Sequence, residues 1–466
     1  IAAHADEIYL DPLGFVLIDG YDRYVMYYKD ALDKLGVDMN VFRVGAYKSA
    51  VEPFTRSDMS PEDREESLAY LGAMWQGYQA DVARARKLAP GDIAKYVDGL
   101  AGGIAAQKGD GAKLALEAKL ITGIRTSIDV ERELTELVGE DSDEESYRQV
   151  GVDDYLRVVN AEAKLRGDGK PLVGVIVVAG EMLDGDQPSG TVGGESTARL
   201  IREARLDEDV KALVLRIDSP GGSMFAAEQI HREIEALKAE GKPVVVSMGD
   251  LAASGGYYVA APADEIWARP TTITGSIGIF ATIPTLDRSF GKIGIGVDGV
   301  GTTVWSGQLR LDRPIGKEAG EFMQATIEHG YETFLARVAQ GRGKTRDEVD
   351  SIAQGRVWAG VDAKRVGLVD HLGGFEDAVG AAAALAKLDK DAYDLEFIGP
   401  QMSWAQELAL QVKTKAVQAV AGLGIRLPPA LVQVAQQLDP LAAEVARWSR
   451  LQSANHLYAY CLCSVR

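Results

Sequence analysis

Asp218-Ser-Pro-Gly-Gly222 and Ala252-Ala-Ser254-Gly-Gly256 are the two stretches whose reading decides the fold. Each follows a short apolar run, Ala212-Leu-Val-Leu-Arg-Ile217 and Pro243-Val-Val-Val-Ser247, with the length and composition of a buried strand. The first stretch puts two glycines where a strand ends, a turn that can aim backbone N–H groups at a developing negative charge. The second puts a small nucleophile among alanines and glycines, where a substrate backbone can approach closely. Together they read as two halves of an acyl-transfer site. Working outward, Leu172 to Gly180 is another strand-length apolar run, and residues from about Met224 to Glu240 carry a helical pattern. Alternating strands and helices imply an α/β layered fold.

The chain also repeats itself. Ile1-Ala-Ala-His-Ala-Asp-Glu-Ile-Tyr-Leu-Asp-Pro12 matches Val259-Ala-Ala-Pro-Ala-Asp-Glu-Ile-Trp-Ala-Arg-Pro270 at a constant offset of 258, with seven of twelve positions identical. Weaker similarity runs on through Leu35-Gly-Val37 against Ile293-Gly-Ile295, and Val41 to Gly45 against Val297 to Gly301. A period this long means duplicated domains, not a solenoid. The expected division is a first copy over residues 1–125, an acidic linker over 126–170 that includes Glu140-Asp-Ser-Asp-Glu-Glu145, a complete second copy over 171–395, and a mostly helical tail over 396–466 broken at Leu427-Pro-Pro429. The counterpart of Ser254 would fall four residues before Ile1, so the first copy is expected to be N-terminally incomplete in this sequence.

A chain of 466 residues suits two or three domains, and 46% hydrophobic with 26% charged residues is the composition of a globular protein. A formal charge of −19 argues against nucleic acid and against unaided adsorption to anionic lipid. No apolar run approaches the roughly 18 residues that span a bilayer. The two cysteines, Cys461 and Cys463, sit in the last six residues without metal-ligand spacing and are expected to be tail thiols. No phosphate-binding G-x-x-x-x-G-K-[ST] loop and no metal-ligand grouping is present, so neither a cofactor nor a metal is expected.

A serine hydroxyl needs a base beside it. The five histidines, His4, His231, His329, His371 and His456, have no setting that marks one as that base, and each reads as a surface or packing residue. A Ser-Lys dyad is the variant that does without histidine. Its lysine must be neutral, which burial achieves by disfavouring the ammonium. Lys48 lies in the apolar stretch Val41-Phe-Arg-Val-Gly-Ala-Tyr-Lys48-Ser-Ala-Val51, and its place in the second copy falls near Val304, which has no base to offer. Taken alone, a snorkelling strand-end lysine is the other reading.

Several motifs, in order, resemble the long, duplicated form of the signal peptide peptidase A family, also called protease IV. They are Arg43 to Phe54, Asp218 to Ser223, Ala252 to Tyr257, Thr274-Gly-Ser276-Ile-Gly-Ile279, Ile352 to Trp358, Gly367-Leu-Val-Asp370 and the tail Tyr458-Ala-Tyr-Cys461. The resemblance covers essentially the whole chain. It implies two tandem domains of ClpP/crotonase type built from repeated ββα units. It implies a serine endopeptidase with Ser254 as nucleophile, Lys48 as general base and Ser276 holding the lysine amine. It further implies a homotetramer anchored in the bacterial cytoplasmic membrane by a segment outside this sequence, with active sites on the periplasmic side and cleaved signal peptides as substrates. Under that mechanism the oxyanion donors are the N–H groups of Gly222 and Gly255, the latter because it follows the nucleophile; as turn glycines both also read as architectural. Two rival readings remain at this point: a crotonase-type acyl-CoA enzyme, which would require neither Ser254 nor Lys48, and a non-catalytic membrane-associated scaffold, which would hold the two residues apart.

Overall fold

The apolar runs form strands because their valines, isoleucines and leucines find cover on both faces of one sheet. The computed structural model of the chain describes residues 1–141, 146–152, 155, 156, 158, 169–188, 190–390, 392–399 and 458–461. They fall into two compact units. Among the described residues, one comprises Ile1–Arg23 and Leu71–Lys170; the other comprises Tyr24–Tyr70 and those within Pro171–Ser464.

The site lies in the second unit. Its labelled elements, in chain order, are β1 (Asp38–Val44), α1 (Pro61–Arg86, whose first ten residues count with this unit), β2 (Leu172–Ala179), α2 (Gly194–Leu206), β3 (Val210–Ser219), β4 (Gly221–Ser223), α3 (Met224–Ala239), β5 (Val244–Ala253), α4 (Gly255–Ala260), β6 (Glu265–Ala268), β7 (Ile273–Gly275), β8 (Ile279–Thr285), α5 (Lys317–Arg342), β9 (Val357–Ala359), α6 (Phe375–Leu385), β10 (Asp394–Phe397) and β11 (Tyr458–Tyr460).

The main sheet runs β9-β7-β5-β3-β2-β10, with β6 paired to β5 near its start. All these neighbours are parallel except β7 and β9. Side chains alternate across it with period two. Val173, Val175, Ala212, Val214 and Val245 point to one face, where they pack on Ala378, Val379 and Ala382 of α6. Ile176, Val178, Leu213, Leu215, Ile217 and Val246 point to the other, against Ile201 of α2 and Ile230 and Ile234 of α3. Each face is therefore a dry helix–sheet layer, and the fold is the layered α/β class expected.

A second sheet begins β1-β8-β11-β4. β1 and β8 pair antiparallel over seven residues, from Val44 opposite Ile279 to Asp38 opposite Thr285. That ladder binds the segment around Lys48 into the unit that holds Ser254. The sequence repeat assigns Lys48 to a first copy over residues 1–125; packing divides the chain differently, because the strand Asp38–Val44 finds its partner in Ile279–Thr285.

The first unit is helical apart from short strands. Tyr9–Leu10 pairs in parallel with Gly123–Ile124, and Glu140–Asp141 pairs with Ser146–Tyr147, so the described edges of the acidic run are extended. Most of the tail expected to be helical lies outside the described residues. Its described ends are strand: β10 crosses the boundary expected at 395, and β11 closes the second sheet. Cys461 is disulfide-bonded, which corrects the expectation of a free thiol there.

Candidate active site

Ser254 stands between β5 and α4, at the N-cap of a helix that begins Gly255-Gly256. Its backbone has φ 56° and ψ −115°, a conformation that costs a serine about 1–3 kcal/mol. The surroundings hold it there. Its N–H donates to Gly275 O at 2.8 Å, and its carbonyl accepts from Tyr258 N at 2.9 Å. Only a glycine fits at 256, where a Cβ would lie 2.8 Å from Ser219 O. The sharp turn points the hydroxyl away from the strand, and Ser254 is fully buried.

Lys48 follows β1 in a tight loop. Gly45 at φ +107° turns the chain, and a Cβ there would collide with Gln354 at 2.5 Å. Tyr47 N donates to Gln354 O at 2.9 Å, and Arg43 Nη1 donates to Lys48 O at 3.2 Å. The lysine is 1% exposed. Its Nζ lies 2.9 Å from Ser254 Oγ, 3.0 Å from Ser276 Oγ and 3.1 Å from the Ser276 carbonyl oxygen. Three partners match a neutral amine: two N–H donors for the two Ser276 oxygens and one lone pair for the Ser254 hydroxyl. Burial pushes the Lys48 amine down to about 7, opposed by the charge of Glu66, which raises it.

Ser276 is the second strained serine, at φ 51°, in the turn between β7 and β8. Its N–H donates to Arg356 O at 2.7 Å. One residue thus presents both its hydroxyl and its carbonyl to the amine, which fixes the amine's rotation and leaves the third direction to Ser254.

Gly222 sits on β4 at φ +154°, where a Cβ would fall 2.0 Å from Met182 O. Gly255 is the first residue of α4, and the first N–H groups of a helix have no intrahelical acceptor. β3 and β5 end side by side, Ser219 opposite Ala252, which brings the Gly-Gly turn next to the serine turn. Asp218 and Ser219 serve that turn. Asp218 accepts from Leu251 N at 3.2 Å; the Ser219 hydroxyl donates to Gly180 O at 2.6 Å and accepts from Gly221 N at 3.1 Å.

The structure therefore brings Lys48, Ser254 and Ser276 into direct contact, with Gly255 adjoining and Gly222 on the neighbouring strand. Sequence reasoning missed three residues that shape the surroundings of Lys48. A Cβ on Gly355 would lie 2.6 Å from Lys48 N, and one on Gly278 would lie 3.2 Å from Lys48 Cδ, so the lysine stem runs between two glycines. Both glycines stand in motifs already noted for resemblance, and the positive φ of Gly355 gave no local cue. Glu66 on α1 is the third. It is 2% exposed and accepts from Val357 N at 3.0 Å and from the Ser49 hydroxyl at 3.5 Å. Of the histidines, His231 is buried inside α3 against Tyr258, and His371 stacks on Trp267.

The sequence model of "Peptidase family S49" matches residues 1–136 and 236–389. The chain belongs to peptidase family S49. A Protease 4 from Salmonella typhi is 41% identical over 464 residues, 99% of this chain and 73% of that protein. A Protease 4 from Haemophilus influenzae is 39% identical over 469 residues, 99% and 74% of the two chains. A chloroplastic serine protease SPPA from Arabidopsis thaliana is 31% identical over 390 residues, 82% of this chain and 56% of its own. Among solved structures, ClpP1 from Listeria monocytogenes is similar at 16% identity and a TM-score of 0.29, covering 44% of this chain and 94% of its own. This S49 chain is a serine protease, and the two matched segments agree with a tandem duplicated arrangement.

Proposed function

We propose that this S49 protease hydrolyses peptide bonds with a Ser254/Lys48 dyad. The observation that carries the reading is the 2.9 Å approach of a buried, strained serine hydroxyl to a buried lysine amine. Neutral Lys48 takes the Ser254 proton as Oγ attacks the scissile carbonyl. Ser276 keeps the amine's lone pair aimed at that proton. The oxyanion receives the N–H groups of Gly222 and Gly255, each such donor contributing about 3 kcal/mol to the barrier reduction. Protonated Lys48 then gives its proton to the leaving amine, and water hydrolyses the acyl-enzyme with the same lysine as base.

The substrates we assign are cleaved signal peptides and other short apolar peptides. The support is the similarity to the Protease 4 proteins and to a putative signal peptide peptidase of Enterococcus faecium, 32% identical over 201 residues. The same similarity supports a homotetramer at the bacterial cytoplasmic membrane with its catalytic part facing the periplasm, and a chain of two copies, residues 1–125 and 171–395, joined by 126–170. No helix among the described residues is long and apolar enough to cross a membrane, so anchoring is assigned to a segment outside them. A scaffold would have no need to hold Lys48 against Ser254.

Substitution tests the dyad. Ser254→Ala and Lys48→Ala should each lower hydrolysis of a fluorogenic apolar peptide by about 10³-fold or more, with circular dichroism unchanged. Full activity in a folded Lys48→Ala protein would remove the lysine from the mechanism.

A further inference from the structure

We propose, resting on the dyad reading, that Arg356 is a positioning residue: its guanidinium clasps the loop that carries Lys48 to the turn that carries Ser276, and so holds the amine where it meets Ser254. It acts through Lys48 and Ser276, not on the peptide.

Lys48 and Ser276 are 228 residues apart in the chain, and their two turns need something to join them. The stretch Ile352-Ala-Gln-Gly-Arg-Val-Trp358 does so with its backbone. Gln354 O accepts from Tyr47 N at 2.9 Å, Gly355 N donates to Ile277 O at 2.8 Å, and Arg356 O accepts from Ser276 N at 2.7 Å. One short stretch thus bonds the residue before Lys48, Ser276 itself and the residue after Ser276. These bonds fix the spacing of the two turns only while the stretch itself stays in place.

The Arg356 side chain keeps it there. Its guanidinium carbon lies 4.8 Å from the centre of the Tyr47 ring and 4.7 Å from that of Trp358, so the cation stacks on both rings. Nη1 donates to the Tyr47 hydroxyl at 3.3 Å, and Nη2 donates to Glu65 of α1 at 3.0 Å. The Tyr47 hydroxyl in turn donates to Glu65 at 3.3 Å, which closes a ring of three side chains. Trp358 is pinned on the other side. Its indole N–H donates to Ile352 O at 2.9 Å, and on β9 it stands opposite Thr274 of β7, two residues before Ser276. Tyr47 therefore belongs to the lysine loop, Trp358 to the strand pair that leads into the Ser276 turn, and Arg356 spans the two. Both ends of its fork are engaged by these neighbours, which makes it a fastener and not a dock for substrate charge. A lysine ammonium has no planar fork with which to stack and form two directed bonds at once.

Arg356→Ala, Arg356→Lys and Tyr47→Leu in the full chain test this through kcat, KM and the pH profile for a fluorogenic apolar peptide. A lysine loop freed of its clasp should shift by about an ångström, and misplacement of that size costs about 100-fold. Arg356→Ala should therefore lower kcat about 30- to 100-fold, with KM within about twofold. Water reaching the loosened Lys48 amine should raise it from about 7, because burial is the larger cause of its lowering, so the acid limb of kcat/KM should move to higher pH. Arg356→Lys keeps the charge without the fork and should stay within about threefold of Arg356→Ala, with the limb moved the same way. Tyr47→Leu removes one ring of the clasp from the opposite side and should reproduce both changes, which keeps the test decisive if Arg356→Ala does not fold. In a Lys48→Ala background, Arg356→Ala should lower the residual rate no further, because no amine is left to aim. Normal kcat with an unmoved limb in folded Arg356→Ala and Tyr47→Leu would overturn the proposal. A lowered kcat with the limb unmoved would mark a merely structural role and overturn it too. So would a raised KM at unchanged kcat, full recovery in Arg356→Lys, or a further loss in the Lys48→Ala background. Full activity in a folded Lys48→Ala protein would instead defeat the dyad itself.

Discussion

Ile8 and Ile266 occupy equivalent places in the two repeats, and each is fastened in the same way. Ile8 N donates to the Thr122 hydroxyl at 2.7 Å, and Thr122 N returns a bond to Ile8 O at 2.8 Å. Ile266 N donates to the Asp370 carboxylate at 2.8 Å, and Asp370 N returns a bond to Ile266 O at 3.0 Å. In both cases the next two residues form a short parallel pair: Tyr9 and Leu10 with Gly123 and Ile124, Trp267 and Ala268 with His371 and Leu372. Both returning segments are preceded by a buried apolar pair, Leu120-Ile121 and Leu368-Val369. The repeat in the sequence is thus a repeat of one corner. Beyond it the copies part. Residues 38–44 form a strand followed by a tight loop that carries buried Lys48, whereas their counterparts near 297–301 form none, and Val304 is 69% exposed. Sequence likeness persists where backbone bonds define a corner and fades where one copy gained a partner strand and a base.

The largest effect should come from trying to exchange that base between copies. In a Lys48→Ala background, Val304→Lys restores the residue type at the aligned position but on an exposed loop. A lysine there stays solvated, charged and remote from Ser254. Activity should remain below about one-thousandth of the unaltered enzyme at every pH, measured by peptide hydrolysis. Recovery of activity would mean that the copies are interchangeable where the structure makes them different.

A smaller effect should separate the two corners. Asp370 also pairs with Arg342, whose side chain is 7% exposed. Asp370→Ala leaves that guanidinium buried without this partner and should cost about 3 kcal/mol in denaturant unfolding. Thr122→Ala removes only an exposed hydroxyl, which accepts from Ile8 N and donates to Ile8 O, and should cost about 1 kcal/mol. Equal losses would show that the carboxylate adds nothing to the corner it shares with the threonine.

What the sequence made legible was local or repeated. The strands before both glycine motifs, the helix begun at Met224 and the duplication all follow from short-range pattern. The Lys48–Ser254 contact spans 206 residues; the apolar setting of Lys48 made it a candidate, and the family resemblance named the pair. The strand role of Tyr458–Tyr460 was not reachable: three residues carry no period, and their pairing partners are strands far away in the sequence. The glycine walls around the lysine stem were hidden for the same reason, since a Cβ clash at Gly355 depends on a loop that meets it only in the fold. Glu66 shows no local signal either. It reads as one acidic residue among several in Pro61-Glu-Asp-Arg-Glu-Glu66, and only burial sets it apart.

That carboxylate gives the finest test of the asymmetry between the copies, because it acts on the base that one copy alone possesses. Burial lowers the Lys48 amine to about 7 and the Glu66 charge raises it, so the working value is a balance of the two. With the neutral amine as the proposed base, activity should rise with pH through about 7. Glu66→Gln removes the charge and keeps an oxygen to accept from Val357 N, with its amide N–H2 turned to the Ser49 hydroxyl, which can accept. With the raising influence gone, Lys48 loses its proton at lower pH, and the acid limb of the kcat/KM profile should move down by up to about one unit. The plateau above it should change little, because geometry is preserved. A purely structural role would lower the plateau and leave the limb in place; an unmoved limb with an unchanged plateau would mean that the Glu66 charge does not act on the amine.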